Sequence, residues 1–397
     1  MNKRIFVTLF FSIFAAVTGV GIVVPLLPVY AHELGASGFY VGMIFGSFSI
    51  SRTVLVPYFG KLSDVRGRKP FVSAGLLLYA LLSFAFMMAE NVFALIGIRF
   101  AQGIASAMIL PVAQAYVGEI TPEGKEGFVM GLFNISMYSS LSLGPLLGGS
   151  VKDRLGIDAA FAIMGVLAFV AFLLTAFLLP PTKEEPRRLR HEKPMSYANL
   201  LKRAEVLGIV VFRLAYTICI GVIWTFLPIF ASTEFHLSSS SIGVLIMLGV
   251  FMGGVLQAPM GFLADRYSKR RMAALGGFVV AGAVVYLIYA SGFWGLFLAN
   301  CLFGIGGGIA APPIMALGVI EGSRTGSMGA VMALLTMGHS LGMMIGSILG
   351  GIVMDLLSLR VAYMGGAAMM VAGVAFFLLC TGRRRAPKEA GASGGAG

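Results

Sequence analysis

Twelve long apolar segments, separated by short polar interruptions, constrain the fold of this chain more than any other feature of its sequence. Each is near the length of about 20 residues that an α-helix needs to cross a bilayer, and none shows the alternation of barrel strands. Hydrophobic residues make up 58% of the chain and charged residues 12%, against about 45–50% and 25% in soluble domains. We therefore predict an all-α membrane protein with twelve transmembrane helices, near residues 5–30, 40–59, 70–89, 92–117, 128–150, 159–180, 206–231, 240–262, 272–290, 295–319, 328–354 and 361–380.

The distribution of basic residues predicts the orientation in the membrane. With a cytoplasmic N-terminus, 23 lysines and arginines fall on the cytoplasmic side and three, Lys152, Arg154 and Arg360, on the outer side. By the positive-inside rule, this is an integral, multi-pass protein of the cytoplasmic (inner) membrane with both termini in the cytoplasm. The same residues explain the net charge of +12 and would meet anionic membrane lipids, so no nucleic-acid partner is expected.

An internal duplication divides the chain into two halves. We predict an N-terminal six-helix bundle at 1–180, a cytoplasmic linker at 181–205, a C-terminal six-helix bundle at 206–382 and a flexible cytoplasmic tail at 383–397. Shifting one half by about 200 residues aligns, in order, Pro28 with Pro228, Gly42 with Gly243, Gly60 with Gly261, Asp64 with Asp265, and Gly103 with Gly304. Pseudo-symmetric bundles of this kind form transporters whose halves move about a cavity near the bilayer midplane.

A charged segment between the second and third helices, "GKLSDVRGRK", predicts a gate at the cytoplasmic side. A carboxylate among basic residues can pair with them and can face the positive N-terminus of another helix, while glycines permit a tight turn in the loop 60–69. The segment "GFLADRYSKR" is a partial copy with Ser268 in place of a glycine, and predicts a weaker second gate. The gate residues are Gly60, Lys61, Asp64, Arg66, Gly67, Arg68, Gly261, Asp265 and Arg266.

Small residues and prolines predict close helix contacts in three helices, because they expose the backbone and introduce kinks. In the eleventh helix, four glycines recur every fourth residue along one face. This helix seam comprises Pro25, Pro28, Gly144, Pro145, Gly148, Gly149, Gly338, Gly342, Gly346 and Gly350.

Four motifs together resemble those of the major facilitator superfamily, and within it the twelve-helix drug:proton antiporters. Residues 60–69 match G-x-L-x-D-x-x-G-R-[KR], residues 99–107 match R-x-x-Q-G-x-x-x-A, residues 144–149 match G-P-x-x-G-G, and Pro25 and Pro28 match the proline-rich first helix. The resemblance implies that Asp64 faces the start of the eleventh helix and stabilises an outward-facing state. It also implies that the fifth-helix motif prevents ion leak and that transport is driven by proton antiport.

Polar residues inside the apolar segments are candidates for a substrate cavity, since ionisable groups are costly in the bilayer and mark functional paths. The cavity candidates are Arg52, Arg99, Gln102, Ser106, Asn134, Tyr138, Arg213 and His339. Arg99, Gln102 and Ser106 share one helix face. Two alternatives stay open: Arg213 extends its head group to the cytoplasmic surface, and His339 is a core residue.

Three residues are candidates for coupling transport to protons. The candidates are His339, Arg99 and Glu33, and histidine is the side chain that titrates near neutral pH without assistance. Related antiporters commonly place a carboxylate in the first or fourth helix, whereas all 17 acidic residues here fall in loops or at helix ends. A cavity with arginines and no acid favours anionic or zwitterionic amphipathic substrates on Coulombic grounds.

These observations predict a secondary active transporter, an exporter of small amphipathic compounds that works as a monomer by proton antiport and alternating access. No enzyme activity and no cofactor are expected, because the sequence has no nucleophile–base constellation, Walker loop or metal cluster. Two alternatives remain: an organic-anion or lysolipid transporter or facilitator without buried-acid coupling, and a non-transporting sensor or scaffold on the same fold.

Overall fold

A computed structural model of the chain describes residues 3–121, 126–180 and 195–382. The helices are α1 (Lys3–Glu33), α2 (Gly38–Arg66), α3 (Arg68–Ala85), α4 (Val92–Ile120), α5 (Glu126–Leu155), α6 (Ile157–Leu173), α7 (Tyr197–Leu201), α8 (Ala204–Phe235), α9 (Ser239–Arg266), α10 (Lys269–Tyr289), α11 (Gly292–Arg324), α12 (Met328–Leu356) and α13 (Leu359–Thr381). A 3₁₀ turn, Phe86–Met88, follows α3, and a π-helical turn, Leu174–Leu178, extends α6. The predicted all-α fold class is confirmed.

Eleven helices in the described part of the chain are long and apolar enough to cross a membrane. The long helix that fails this test is α5, whose 30 residues would extend about 45 Å. Two of its serines bond to α1 rather than face lipid: Ser136 Oγ donates to the Phe10 carbonyl at 2.8 Å, and Ser140 Oγ donates to that of Phe14 at 2.9 Å. Since α5 packs between α1 and α9, it brings the number of crossings to twelve despite its polarity, and it is the fifth in chain order. The short helix α7 lies in the predicted linker, so crossings seven to twelve are α8–α13.

The helices pack as two six-helix bundles of like connectivity. In the first bundle α1 packs on α5 and α6, α2 on α4, and α3 on α4 and α6; in the second, α8 packs on α12 and α13, α9 on α11, and α10 on α11 and α13. The bundles meet through α2 with α12, α5 with α9, and α1 with α8. We call the end where α2 turns into α3 the inner end, and the end where α1 turns into α2 the outer end. The predicted domain limits at residues 180 and 206 remain predictions, and the tail 383–397 and most of the linker lie outside the described residues.

The predicted loop at 60–69 is almost entirely helical, which corrects the sequence-based expectation. Helix α2 continues to Arg66, and α3 begins at Arg68, so the turn is made by Gly67 alone. Its φ of 85° and ψ of 157° lie in a region that is essentially restricted to glycine. In the copied segment Ser268 has φ −63° and its Oγ accepts a hydrogen bond from the Arg271 N–H as the N-cap of α10. The loss of the glycine therefore accompanies a different turn.

Candidate functional site

Two arginines from different helices, Arg52 of α2 and Arg213 of α8, lie within electrostatic range of His339 of α12. Close packing of α2 on α12 and of α12 on α8 places these side chains at a similar height along the helix axes. A Cβ on Gly46 would lie 2.7 Å from Ile348, and a Cβ on Gly338 would lie 3.4 Å from the Val210 carbonyl oxygen. Because α2 and α12 run in opposite directions, Arg52 reaches the level of His339, and both arginine charges act on the histidine ring. We call these three residues the central basic cluster.

The central basic cluster lacks protein counter-ions in the described part of the chain. Arg52 and Arg213 are half-buried and make no ion pair or hydrogen bond with a described residue. The Nδ1 atom of His339 is buried and has no hydrogen-bond partner. A buried cation without a partner is costly, and buried polar atoms are usually satisfied. The cluster is therefore incomplete without a ligand or solvent.

Aromatic side chains adjoin the central basic cluster. Arg213 interacts electrostatically with Tyr138 of α5, from the other bundle, and with Tyr216 on its own helix. The Tyr216 ring stacks on that of Phe303, with centroids 6.0 Å apart and planes at 17°. Sequence reasoning missed Tyr216 and Phe303, although Tyr216 stands three residues after Arg213 and thus shares its helix face. The side chain of Asn134 lies outside the described residues.

Arg99 lies elsewhere, inside the first bundle. It is 4% exposed, and its Nη1 donates to Gln102 Oε1 at 3.1 Å. Its guanidinium lies over the rings of Phe48 and Phe45 of α2, 4.3 and 5.3 Å from their centroids. It also interacts electrostatically with Tyr79 of α3, which sequence reasoning missed. The polar face predicted on α4 thus packs against α2 and α3, with Ser106 half-buried; roles in substrate binding or proton coupling stay predictions.

The residues of the predicted gate at the inner end are described only in part, because the side chains of Lys61 and Asp64 lie outside the described residues. Arg68 is 3% exposed and its Nη1 donates to Ser63 Oγ at 2.6 Å. Ser63 Oγ in turn donates to the Gly60 carbonyl oxygen at 2.8 Å. Arg66 is exposed. The buried pair of Arg68 and Ser63 therefore ties the start of α3 to the last turn of α2.

The copied gate segment satisfies its charges within the second bundle. Asp265 lies 3.8 Å from Lys269 Nζ, and Arg266 lies 4.2 Å from the ring centroid of Phe262. A Cβ on Gly261 would have Pro312, of the same bundle, as its neighbour, at 4.0 Å. This segment makes local contacts, and its predicted role as a second gate stays a prediction.

Two carboxylates at the outer end join the bundles, and sequence reasoning missed both. Asp355, near the end of α12, accepts hydrogen bonds from the N–H groups of Gly38 (2.6 Å) and Phe39 (2.8 Å) at the start of α2. Asp153, near the end of α5, accepts from the N–H groups of Ser239 (3.1 Å) and Ser240 (2.7 Å) and from Ser240 Oγ (2.5 Å) at the start of α9. We call these two pairs the outer contacts.

The outer contacts follow the internal duplication, which is the signal that could have revealed them. Asp153 and Asp355 are 202 residues apart, and Gly38 and Ser239 are 201 apart. The first N–H groups of a helix have no intrahelical partner and carry positive partial charge, so a carboxylate binds them favourably. Although partial burial opposes ionisation, the hydrogen bonds from Ser240 and Ser239 hold the pKa of the Asp153 carboxyl below its ordinary value.

The predicted helix seam consists of contacts both within and between bundles. A Cβ on Gly144 would lie 2.6 Å from Gly21 Cα of α1, and one on Gly148 would lie 2.8 Å from the Ile22 carbonyl oxygen. The glycines of α12 lie against α8 of their own bundle: Gly338, Gly342, Gly346 and Gly350. Pro25 and Pro28 are buried within α1. Contacts across the bundles come instead from Gly149 and Pro145 against α9, and from Gly38, Gly42 and Gly46 of α2 against α12.

Glu33, the third proton-coupling candidate, lies at the outer surface. Its carboxylate is 3.3 Å from Lys152 Nζ, and its side chain is 56% exposed. A surface pocket of about 430 Å³ lies at the other end of the molecule, between the start of α1 and the end of α6, lined by Lys3, Arg4, Val7, Thr8 and Leu178. Neither feature adjoins the central basic cluster. The described residues contain no group of three or more His, Cys, Asp or Glu side chains that could hold a metal ion.

Comparison with known sequences yields transporters that align over nearly the full chain. An uncharacterised MFS-type transporter of Methanocaldococcus jannaschii is 26% identical over 95% of this chain and 98% of its own length. The quinolone resistance protein NorA of Staphylococcus aureus is 26% identical over 98% of this chain and 99% of its own. Multidrug resistance protein 2 of Bacillus subtilis is 26% identical over 94% of each chain.

Solved structures share the fold at lower sequence identity. The nucleoside transporter NupG superposes with a TM-score of 0.79 at 14% identity, covering 95% of this chain and all of its own. The human organic anion transporter MFSD10 superposes with a TM-score of 0.69 at 16% identity, covering 94% of this chain and 99% of its own. The sequence profile of the Major Facilitator Superfamily matches residues 9–221 and 206–396. With its paired six-helix bundles and a family match over almost its whole length, this chain belongs to the major facilitator superfamily of transporters, and is an integral, multi-pass membrane protein rather than an enzyme.

Proposed function

We propose that this transporter exports small amphipathic organic compounds by alternating access, in exchange for protons, as a monomer in the cytoplasmic membrane with both termini in the cytoplasm. Two relatives that align over nearly the full chain, a quinolone resistance protein and a multidrug resistance protein, support drug-type substrates. The orientation is supported by the 23 basic residues on the cytoplasmic side, against three on the outer side. In this orientation the inner end faces the cytoplasm.

The observation that carries the proposal is the unequal contact between the bundles at their two ends. At the outer end, Asp153 and Asp355 each bridge to the helix start of the other bundle. Along α2, a Cβ on Gly38 or Gly42 near the outer end would collide with the backbone of α12, whereas one on Gly60 at the inner end would meet no atom within 4 Å. This asymmetry is expected of an inward-facing state, in which the central basic cluster is reached from the cytoplasm.

Among the three proton-coupling candidates, His339 fits the exchange best. Glu33 lies at the outer surface beside Lys152, far from the centre, and an arginine such as Arg99 holds its proton throughout the physiological range. His339 lies in the central basic cluster with Nδ1 free of a protein partner. An imidazole at this position can gain and lose a proton as access alternates.

Reconstitution tests the proposal. Purified protein in liposomes should accelerate movement of amphipathic dyes, and an imposed pH gradient should drive their accumulation on the acidic side, relative to liposomes without protein. Addition of dye to an acid-loaded vesicle should release protons. No flux for any dye in a broad anionic and cationic panel would favour a non-transporting sensor. Dye flux that does not depend on the pH gradient would contradict the proposed exchange for protons.

A further inference from the structure

The charge balance around the central basic cluster indicates what kind of substrate the site accepts. Arg52 and Arg213 each carry a positive charge, lie half-buried, and have no carboxylate partner among the described residues. Both act on His339. The two positive charges repel each other, and partial burial removes part of the hydration of each unpaired cation, which is costly. A negatively charged ligand would relieve both penalties, whereas a cationic ligand would increase the repulsion.

The donors of the cluster suit an oxyanion in particular. A guanidinium presents a planar fork of N–H donors that matches the oxygens of a carboxylate, sulfonate or phosphate. The two forks come from different bundles, Arg52 from α2 and Arg213 from α8, so one anionic head group held by both arginines would connect the two halves. The buried Nδ1 of His339, which has no hydrogen-bond partner among the described residues, adds a third polar group beside the two guanidinium groups.

The surroundings of Arg213 suit an aromatic or apolar body attached to that head group. Tyr138 of α5 and Tyr216 of α8 lie within electrostatic range of its guanidinium, and Tyr216 stacks on Phe303. Aromatic rings present flat apolar surfaces with a polar edge, which favours contact with planar organic ligands. The site therefore combines cationic and aromatic parts.

We propose that the central basic cluster binds anionic amphiphiles, with the oxyanion between Arg52, Arg213 and His339 and the apolar body beside Tyr138 and Tyr216. This inference rests on the proposed function and specifies its substrate class. It separates this chain from a cation-selective exporter, which would require a carboxylate at this depth.

Equilibrium binding of two xanthene dyes tests the charge preference without transport. Fluorescein, an anion, and rhodamine 123, a cation, share their aromatic core, and fluorescence anisotropy would report their affinity for the purified protein. Fluorescein should bind more tightly. Arg52→Gln and Arg213→Gln should each weaken it about tenfold or more, the range expected for losing one charged hydrogen-bond partner. Arg271→Gln removes an exposed arginine at the inner end of α10 and should change nothing.

Conservative variants and lipid controls complete the test. Arg52→Lys and Arg213→Lys keep the charge and should retain much of the fluorescein affinity, which a purely structural role of the arginines would not predict. In nanodiscs with and without phosphatidylglycerol, competition by the lipid would assign the site to anionic head groups of lipids, and its absence to free organic anions; both results support an anion site. Rhodamine 123 binding as tightly as fluorescein, or fluorescein binding unchanged in both Gln variants, would overturn the inference. Dye flux in liposomes without a charge preference would do so while leaving the proposed function intact, and absence of all flux would remove the proposed function alone.

Discussion

The carboxylate of Asp355 lies 2.6 Å from the backbone nitrogen of Gly38, 317 positions away in the chain. The contact joins the end of α12 to the start of α2, and its duplicate joins Asp153 of α5 to the start of α9. Each carboxylate neutralises the positive end of a helix in the opposite bundle. Under the proposed mechanism, both contacts must break before the outer end can open.

Removal of the outer contacts should shift the protein towards an outward-open state. Loss of a carboxylate that caps a helix costs about 1 kcal/mol, so Asp355→Ala or Asp153→Ala should each change the ratio of the two states about fivefold, and the double variant more. Nitroxide labels at Met88 and Tyr289, exposed outer positions in different bundles, would report longer distances by double electron–electron resonance. The labelled background carries alanine at Cys219, Cys301 and Cys380.

Asp158→Ala provides the matched control for this measurement. Asp158 is an exposed carboxylate in the first turn of α6, at the same outer end, and α6 packs on α1, α3 and α5 of its own bundle. Its removal should leave the distance distribution as in the unaltered chain. If Asp153→Ala and Asp355→Ala also leave it unaltered, the outer contacts do not hold the outer end closed.

The outer contact of Asp153 should be insensitive to pH in the physiological range. Its hydrogen bonds hold the pKa of the carboxyl below the ordinary value in the closed state, which is about 3.9 when the group is solvated. A depressed pKa stabilises the closed state fully above the ordinary value, and this stabilisation is lost as the pH falls through the lowered value. The labelled distances should therefore be equal at pH about 7 and about 5. Opening of the outer end in that range would mean that another group controls it.

Close backbone contact between α2 and α12 should make Gly42 intolerant of a side chain. A Cβ on Gly42 would collide with the carbonyl group of Ser347, whose carbon would be 2.9 Å away. Gly42→Ala should therefore lower the midpoint of thermal unfolding measured in detergent and favour separation of the bundles. Gly97→Ala, on an exposed face of α4 with open space around it, should be neutral or stabilising by up to about 1 kcal/mol. Equal stability of the two variants would show that α2 and α12 can separate without loss.

Replacement of His339 should uncouple transport from protons. His339→Gln keeps a polar side chain of similar size that cannot gain a proton, so dye exchange down its own gradient should persist while accumulation driven by a pH gradient disappears. Met337→Leu, at an exposed position of the same helix two residues from His339 and therefore on a different face, should leave both unchanged. Proton release on dye addition, followed with a pH-sensitive fluorophore, would measure the effect. Normal proton release by His339→Gln would assign the coupling to another group.

The lengths of the apolar segments made the helices predictable from the sequence, whereas the directions of side chains were not predictable. Twelve crossings could be predicted from the apolar runs, because the bilayer fixes their length. Their duplication could be predicted from prolines, glycines and aspartates that recur at an offset of about 200 residues. The helical extension of α2 to Arg66 could not be predicted, since polar residues beyond the membrane are compatible with both a helix and a loop. Nor could the direction of Arg99, which depends on Phe45 and Phe48 of another helix.

The outer contacts show why the sequence did not predict that acidic residues at helix ends join the two bundles. An aspartate at the end of an apolar run has the sequence signature of a solvated loop residue, and nothing near Asp355 identifies Gly38 as its partner. Comparison of the two halves would have helped, because both aspartates and both helix starts recur at nearly the same interval.

The two outer contacts have the geometry of a homodimer interface recorded within one polypeptide. The end of the fifth helix of each bundle meets the start of the second helix of the other, so each half supplies one donor surface and one acceptor surface. A surface that is complementary to itself across a two-fold axis is the defining property of an isologous dimer. A single six-helix unit would therefore form both contacts with an identical copy, and covalent fusion of two copies would preserve them while leaving each bundle free to diverge.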